Sequence, residues 1–336
     1  MPLTRWKSLT VRVHAAAVFG LACASPALGG TPVHGYITNQ GSHDVSVIDG
    51  STLTVVERLP VGRSPAGIAV STAGGRAYVS NPDSATVSVI ELASRQTVAT
   101  LAVDGSPVGI ATAPDGSRLY VADWYRNRLQ VFATDDYRLL ASIAVGRAPA
   151  GIAVSADGAT VYVANRDDDA LSVIDARQLR VSATLPAGHH PFALGLSPSG
   201  RHLLALNVLS DDVSVIDPAS GRTLATVAVG RAPYGVAFDA EGRRAFVTNQ
   251  HGDSLSVLDL ERLETVTTWP TSAYPEGIAY EDTADGGRLW VVSWMDDEVV
   301  IHDALSGEPL GSVQVGSNPR AFGAFLDGGA AQRVTP

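Results

Sequence analysis

Four short apolar runs, rich in β-branched residues and about strand length, recur together along the chain. In one unit they read "PAGIAV" from Pro149, "TVYVAN" from Thr160, "ALSVID" from Ala170 and "RVSATLPAG" from Arg180. Turn formers such as "SADG" and "NRDD" separate them, with neither helical periodicity nor helix caps. Many positions are apolar consecutively, as in "SVI", which suits strands covered on both faces. The leading proline recurs at Pro65, Pro107, Pro149, Pro191, Pro233, Pro275 and Pro319, spaced by 42 residues five times and by 44 once. The two extra residues fall in "EDTADGG" (Glu281 to Gly287), ahead of a strand, where a turn can lengthen. A four-stranded unit of about 40–45 residues predicts a β-propeller blade.

The two ends of the repeat array predict how the ring closes. The array opens with a second-strand sequence, "GYITN" (Gly35 to Asn39), and finishes with a first-strand sequence, "PRAFGAF" (Pro319 to Phe325). The last strand should therefore complete the first blade and remove the open sheet edge. Seven first strands and seven second strands predict an all-β, seven-bladed propeller of four-stranded antiparallel blades, one domain over residues 30–336.

The second strands read "YITN" (Tyr36), "YVSN" (Tyr78), "YVAD" (Tyr120), "YVAN" (Tyr162) and "FVTN" (Phe246). With "VSVID" (Val45, Val213) and the recurrent "VGRxPxG", they closely resemble the YVTN-repeat β-propeller family. That resemblance implies the seven-bladed fold over nearly the whole chain. It implies no single function, since the family includes exported bacterial and cell-surface proteins and a DNA-binding activity, and amine dehydrogenase heavy chains are similar in fold. It carries no universal catalytic motif.

Composition adds an expected compartment. Residues 1–29 read as an export signal: Arg5, Lys7 and Arg12 form a basic front, "AAAVFGLACA" is an apolar run too short to span a bilayer, and "SPALGG" offers small residues for cleavage. Lipidation at Cys23 is the lesser alternative, because "GLAC" lacks the usual preceding Leu. Cleavage would leave no cysteine, hence no disulfide or thiol chemistry, and 21 basic against 34 acidic residues. An acidic surface without lysine matches nucleic acid and anionic lipid poorly. A soluble monomer, periplasmic or secreted, is expected.

Antiparallel strands alternate in direction, so the loop before each first strand shares a face with the loop joining strands two and three. We call these the mouth loops and the companion loops. With the first strand innermost, both should rim the central channel. There the chain breaks its own pattern: Arg63, Arg147 and Arg231 occur in only three of the mouth loops, His189 and His190 replace the motif in "AGHHPFA", and Tyr234, Glu276 and Arg320 follow their prolines. Asp123, Trp124 and Tyr125 interrupt one companion loop and Trp294 another. Aromatic and polar groups around a concave mouth predict a pocket for a small molecule or a periplasmic protein partner.

Each of these residues also has a structural reading. The glycines and prolines build turns, the asparagines bond turn backbone, the arginines can satisfy loop carbonyls or nearby acids, and a tryptophan can plug a channel. "DPASGR" (Asp217) and "DALSGE" (Asp303) read as ordinary hairpins. His189 and His190 are weak metal candidates without a ligand spacing, so no metal site is expected. "CxxCH", P-loop, dinucleotide fingerprint and "GxSxG" are all missing, and the expectation is a chain without a cofactor. The leading reading is therefore a binding or scaffold propeller. The alternative is a propeller enzyme or enzyme subunit, either a lactonase-like hydrolase or a partner of a redox dehydrogenase. Weak DNA binding through the arginines is third.

Overall fold

The computed structural model describes residues 33–328; the expected export signal over residues 1–29 lies outside them. Six four-stranded sheets and one five-stranded sheet make up the described residues. Blade 4 shows the plan: Pro149–Val154 is innermost, followed outward by Thr160–Asn165, Ala170–Asp175 and Arg180–Pro186, all antiparallel. Blades 2, 3, 5, 6 and 7 begin at Gly67, Pro107, Pro191, Pro233 and Pro275. The fold is the expected seven-bladed propeller.

Burial explains the sequence pattern. Second strands are covered on both faces, so Tyr36, Tyr78, Tyr120 and Phe246 are wholly or almost wholly buried. Trp290 takes the same place in blade 7, with its indole N–H donating to Glu281 at 2.8 Å. Fourth strands face solvent and alternate between exposed and more covered positions, as in Thr54–Pro60.

Ring closure is real but takes a detour. Blade 1 consists of His34–Asn39, Asp44–Asp49 and Thr54–Pro60, completed by Leu326–Asp327 pairing antiparallel with Gly35 and His34. Pro319 bridges to Asn39, and the Tyr36 amide donates to the Phe325 carbonyl. Between these anchors, Phe322–Ala324 leaves the blade and runs parallel to Gly67–Ala69 of blade 2. Gly323 permits this with φ +122, and a Cβ there would stand 2.3 Å from the Ile68 carbonyl oxygen.

The motif glycines are explained by close approach. The glycine two places after the proline lies against the next blade's backbone. A Cβ on Gly109 would meet the Ala150 carbonyl at 1.8 Å, and one on Gly235 the Glu276 carbonyl at 2.4 Å. The glycine of "VG" instead packs on the companion-loop asparagine of the following blade, as Gly146 does on Asn165. No helix among the described residues is long and apolar enough to cross a membrane.

Candidate functional site

The mouth face is assembled by three recurrent ties. Companion-loop asparagines lie inside and donate to a serine seven residues on, as in Asn39 to Ser46, Asn165 to Ser172 and Asn207 to Ser214. The last residue of a companion loop receives the amide of the residue before the next blade's proline. Asp169, Asp211, Asp253 and Asp297 thus hold the amides of His190, Ala232, Tyr274 and Asn318. Blade 2 places Ala85 there, which cannot accept. Blade 3 compensates: Asp123 replaces asparagine, takes the Ser106 amide at 3.0 Å and binds Arg128 at 2.9 Å. Asp123 is fully buried in that role.

The third tie involves the arginines. Arg63 donates to the Asp83 carbonyl at 2.7 Å, Arg147 to the Asp167 carbonyl and the Asp168 carboxylate, and Arg231 to the His251 carbonyl. Each guanidinium is bound to its own blade's companion loop. The structure brings these three residues to one face but not to one another.

The centre of the face is closed by the residues that follow the prolines. On one side they are small: Ala66, Val108 and Ala150. On the other, Phe192 stacks on Tyr234 with ring centroids 4.6 Å apart, and Phe322 packs on Phe192 at 4.9 Å. Trp124 leans in to within 6.0 Å of Phe192, with the Arg166 guanidinium over its ring. Two acceptors orient Arg320 beside this plug: its Nε donates to Glu276 at 2.7 Å and its Nη2 to the Tyr234 hydroxyl. Gln250 donates to the other Glu276 oxygen at 2.9 Å. Burial pushes the Glu276 carboxyl up, against the pull of Arg320. Desolvation opposes the Arg320 charge, but Glu276 and Tyr234 outweigh it and hold the guanidinium protonated. The Arg320 side chain keeps about a fifth of its surface exposed, and its Nη1 makes no hydrogen bond among the described residues.

Around the plug stand the half-buried and exposed groups. His189 is exposed and bound to Asp169 at 2.9 Å. His190 is half-buried, and its Nδ1 is enclosed without a hydrogen-bond partner. Across the face, Tyr274 packs between His251 and Trp294 at 5.4 and 5.5 Å. Tyr125 is 78% exposed at the rim. Gln250, His251, Arg166 and Phe322 also belong to this face. The sequence signal for the first three was their place in the one or two positions after a second strand, where Trp124, Tyr125 and Trp294 also stand.

Below the plug the channel holds a cavity of about 320 Å³, walled by the first strands and by Phe322–Leu326. Its lining contains no His, Cys, Met or Lys. Among the described residues, no group of three or more His, Cys, Asp or Glu side chains is placed to hold a metal ion.

Three solved structures share the fold. Hydrazine synthase of Kuenenia stuttgartiensis matches with a TM-score of 0.72 at 21% identity, over 81% of this chain and 92% of that one. A functionally unknown protein from Desulfotomaculum acetoxidans matches at 0.74 and 15% identity, over 86% and 99%. The dihydro-heme d1 dehydrogenase NirN, in complex with DHE, matches at 0.66 and 17% identity, over 90% and 76%. No curated protein matches the sequence. The family model described as "Cytochrome D1 heme domain" matches residues 33–236, the larger part of the chain. The propeller implied by the YVTN resemblance stands, while the family named by the match is this one. The match also overturns the expectation of a chain without a cofactor, because a family of heme domains points to a heme-type group. That expectation rested on the missing "CxxCH", which marks covalent attachment only; a heme held by an axial ligand leaves no such spacing. With its match extending over residues 33–236, the chain belongs to the cytochrome D1 heme domain family.

Proposed function

We propose that the mouth face binds a heme-class tetrapyrrole and that the chain serves as a propeller of a redox system. The observation that carries this reading is His190. Its ring is half-buried at the mouth, and the enclosed Nδ1 lacks any partner. A buried polar atom left unpaired costs about 1–3 kcal/mol, a cost that a bound group reaching His190 would offset.

An iron tetrapyrrole asks for an axial donor, flat apolar walls and cations for its carboxylates. The channel cavity offers no such donor, because its one hydroxyl-bearing side chain, Tyr280, bonds the Gly286 carbonyl. The mouth face offers all three. His190 would hold the iron. Trp124, Tyr274 and Trp294 supply flat walls. Arg320 and Arg166 supply charge, and Arg320 is already oriented by Glu276 and Tyr234. When bound, such a group supplies one-electron chemistry at iron. The chain's own residues would orient it, exclude water beneath it with the Phe192–Tyr234–Phe322 plug, and neutralise its acids.

This keeps the ligand-binding reading of the face and joins it to the redox alternative. An export signal in residues 1–29 would place that role outside the cytoplasm, and N-terminal sequencing of the exported protein tests this part. The cofactor reading is tested by titrating purified protein with hemin and following the absorbance. Saturation at one equivalent, weakened at least tenfold by His190→Ala, supports it; absence of saturable binding removes it.

A further inference from the structure

The channel cavity on the other side of the plug belongs to no part of that function. It is walled by Ile152, Leu194, Val236 and Ile278 from four consecutive blades, roofed by Phe322, and reaches Pro198 and Asp239 in the loops that follow the first strands. Phe192, Tyr234, Glu276 and Arg320 do not line it, and Phe322 of the plug is the residue it shares with the mouth face.

We propose that this cavity is a second binding site, for a small uncharged molecule that is largely apolar and carries a hydrogen-bonding oxygen. Size sets the first limit. Its volume of about 320 Å³ is roughly twice the ~150 Å³ of an apolar cavity that stays dry and accepts benzene, which admits about a dozen non-hydrogen atoms. Polarity sets the second. The two ionisable side chains in the wall are already satisfied: Asp239 accepts the amides of Arg243 and Arg244 and the Arg244 side chain, and Tyr280 donates to Gly286. What remains is apolar surface and main-chain N–H and C=O groups, because the first strands of blades 4 to 7 are the end strands of their sheets and leave their inner edges unpaired. Charge sets the third. The lining holds no Lys, Arg or His to pair with an anionic guest, and the Asp239 carboxylate at its outer end is already paired with Arg244. A neutral two-ring phenol or ketone meets all three conditions.

The probe is 1-naphthol, titrated into the full chain and followed by calorimetry. Expected are one saturable site and a negative heat-capacity change of binding. Val236→Phe and Ile152→Phe, which fill the cavity from different blades, should each weaken binding at least tenfold. His190→Ala should leave it unchanged, so this site and the mouth site can fail independently. Naphthalene-1-sulfonate should bind at least tenfold more weakly than the phenol. Melting curves confirm that each variant is folded, and a rise in wild-type Tm with 1-naphthol reports binding without any variant. No saturable heat and no Tm rise, or equal binding by both folded filling variants, or equal affinity for the sulfonate, would overturn the proposal.

Discussion

Glu276 and Arg320, 44 residues apart, meet at 2.7 Å beside the channel axis. One follows the proline of blade 7, and the other follows the proline of the segment that closes the ring. The pair therefore ties ring closure to the mouth face. Arg320→Ala leaves the Glu276 carboxylate buried with only Gln250 for company. Breaking such a pair from one side costs about 3–5 kcal/mol, and the partial exposure of Arg320 puts the expected loss at the lower end. The double variant Glu276→Met, Arg320→Met should lose less than Arg320→Ala alone. Urea unfolding of the three proteins checks the order.

His190 and Asp169 give a positional test. Asp169 holds the His190 amide at 2.8 Å and the His189 ring at 2.9 Å. Asp211 does the same backbone work for Ala232 in the next blade, with no histidine attached. Asp169→Ala and Asp211→Ala should lose similar stability, about 0.5–2 kcal/mol by analogy with other side-chain caps of backbone N–H groups. Only Asp169→Ala should weaken hemin binding. Equal hemin affinity in both variants would separate His190 from the site.

The motif glycines predict steric failure. Gly109→Ala places a methyl group 1.8 Å from the Ala150 carbonyl oxygen, so the inner strands of blades 3 and 4 must part. Overpacking of this kind costs about 1–3 kcal/mol or more. Gly75→Ala meets nothing within 4 Å but sits at φ +63, so its cost comes from backbone strain alone and should be about 1 kcal/mol. Thermal unfolding distinguishes the two.

The fold was legible because the repeat is enforced by contacts that each blade makes in the same way. Glycines recur where a backbone carbonyl or an asparagine side chain leaves no room for a Cβ, and asparagine recurs where it bonds a serine seven residues on. The "DPASGR" and "DALSGE" turns were legible for a similar local reason: Asp217 accepts the Ala219 amide and the Ser220 hydroxyl, and Asp303 the amides of Leu305 and Ser306. The detour of Phe322–Ala324 was not legible, since its parallel partner lies more than 250 residues away in blade 2. Glu276, Arg320, Tyr234 and Phe192 each stood out as departures from the repeat, yet their meeting at the axis depends on ring closure. Asp123 looked like a site residue and is instead a substitute for the latch that Ala85 cannot provide.

Those turn aspartates also set an acid limit. Hydrogen bonds from Ser51 hold Asp49 below the usual carboxylate range, Ser220 and the Ala219 amide do so for Asp217, and the Ser306 amide for Asp303. A carboxyl whose folded pKa lies below its unfolded value stabilises the fold above the unfolded value, and that contribution disappears as pH falls through the folded one. Stability should therefore be flat near neutrality and decline as pH drops below about 4. Asp49→Asn with Asp303→Asn should flatten that decline, as read from urea midpoints across pH 2–7.

The central claim is that His190 would hold the iron of a heme-type group at the mouth face. Its most direct measurement is the electron paramagnetic resonance and absorption spectrum of the hemin-loaded protein beside loaded His190→Ala, each with and without added imidazole. The account predicts a histidine-ligated iron in the wild type, its loss in His190→Ala, and its return with imidazole. An unchanged spectrum in His190→Ala would contradict it.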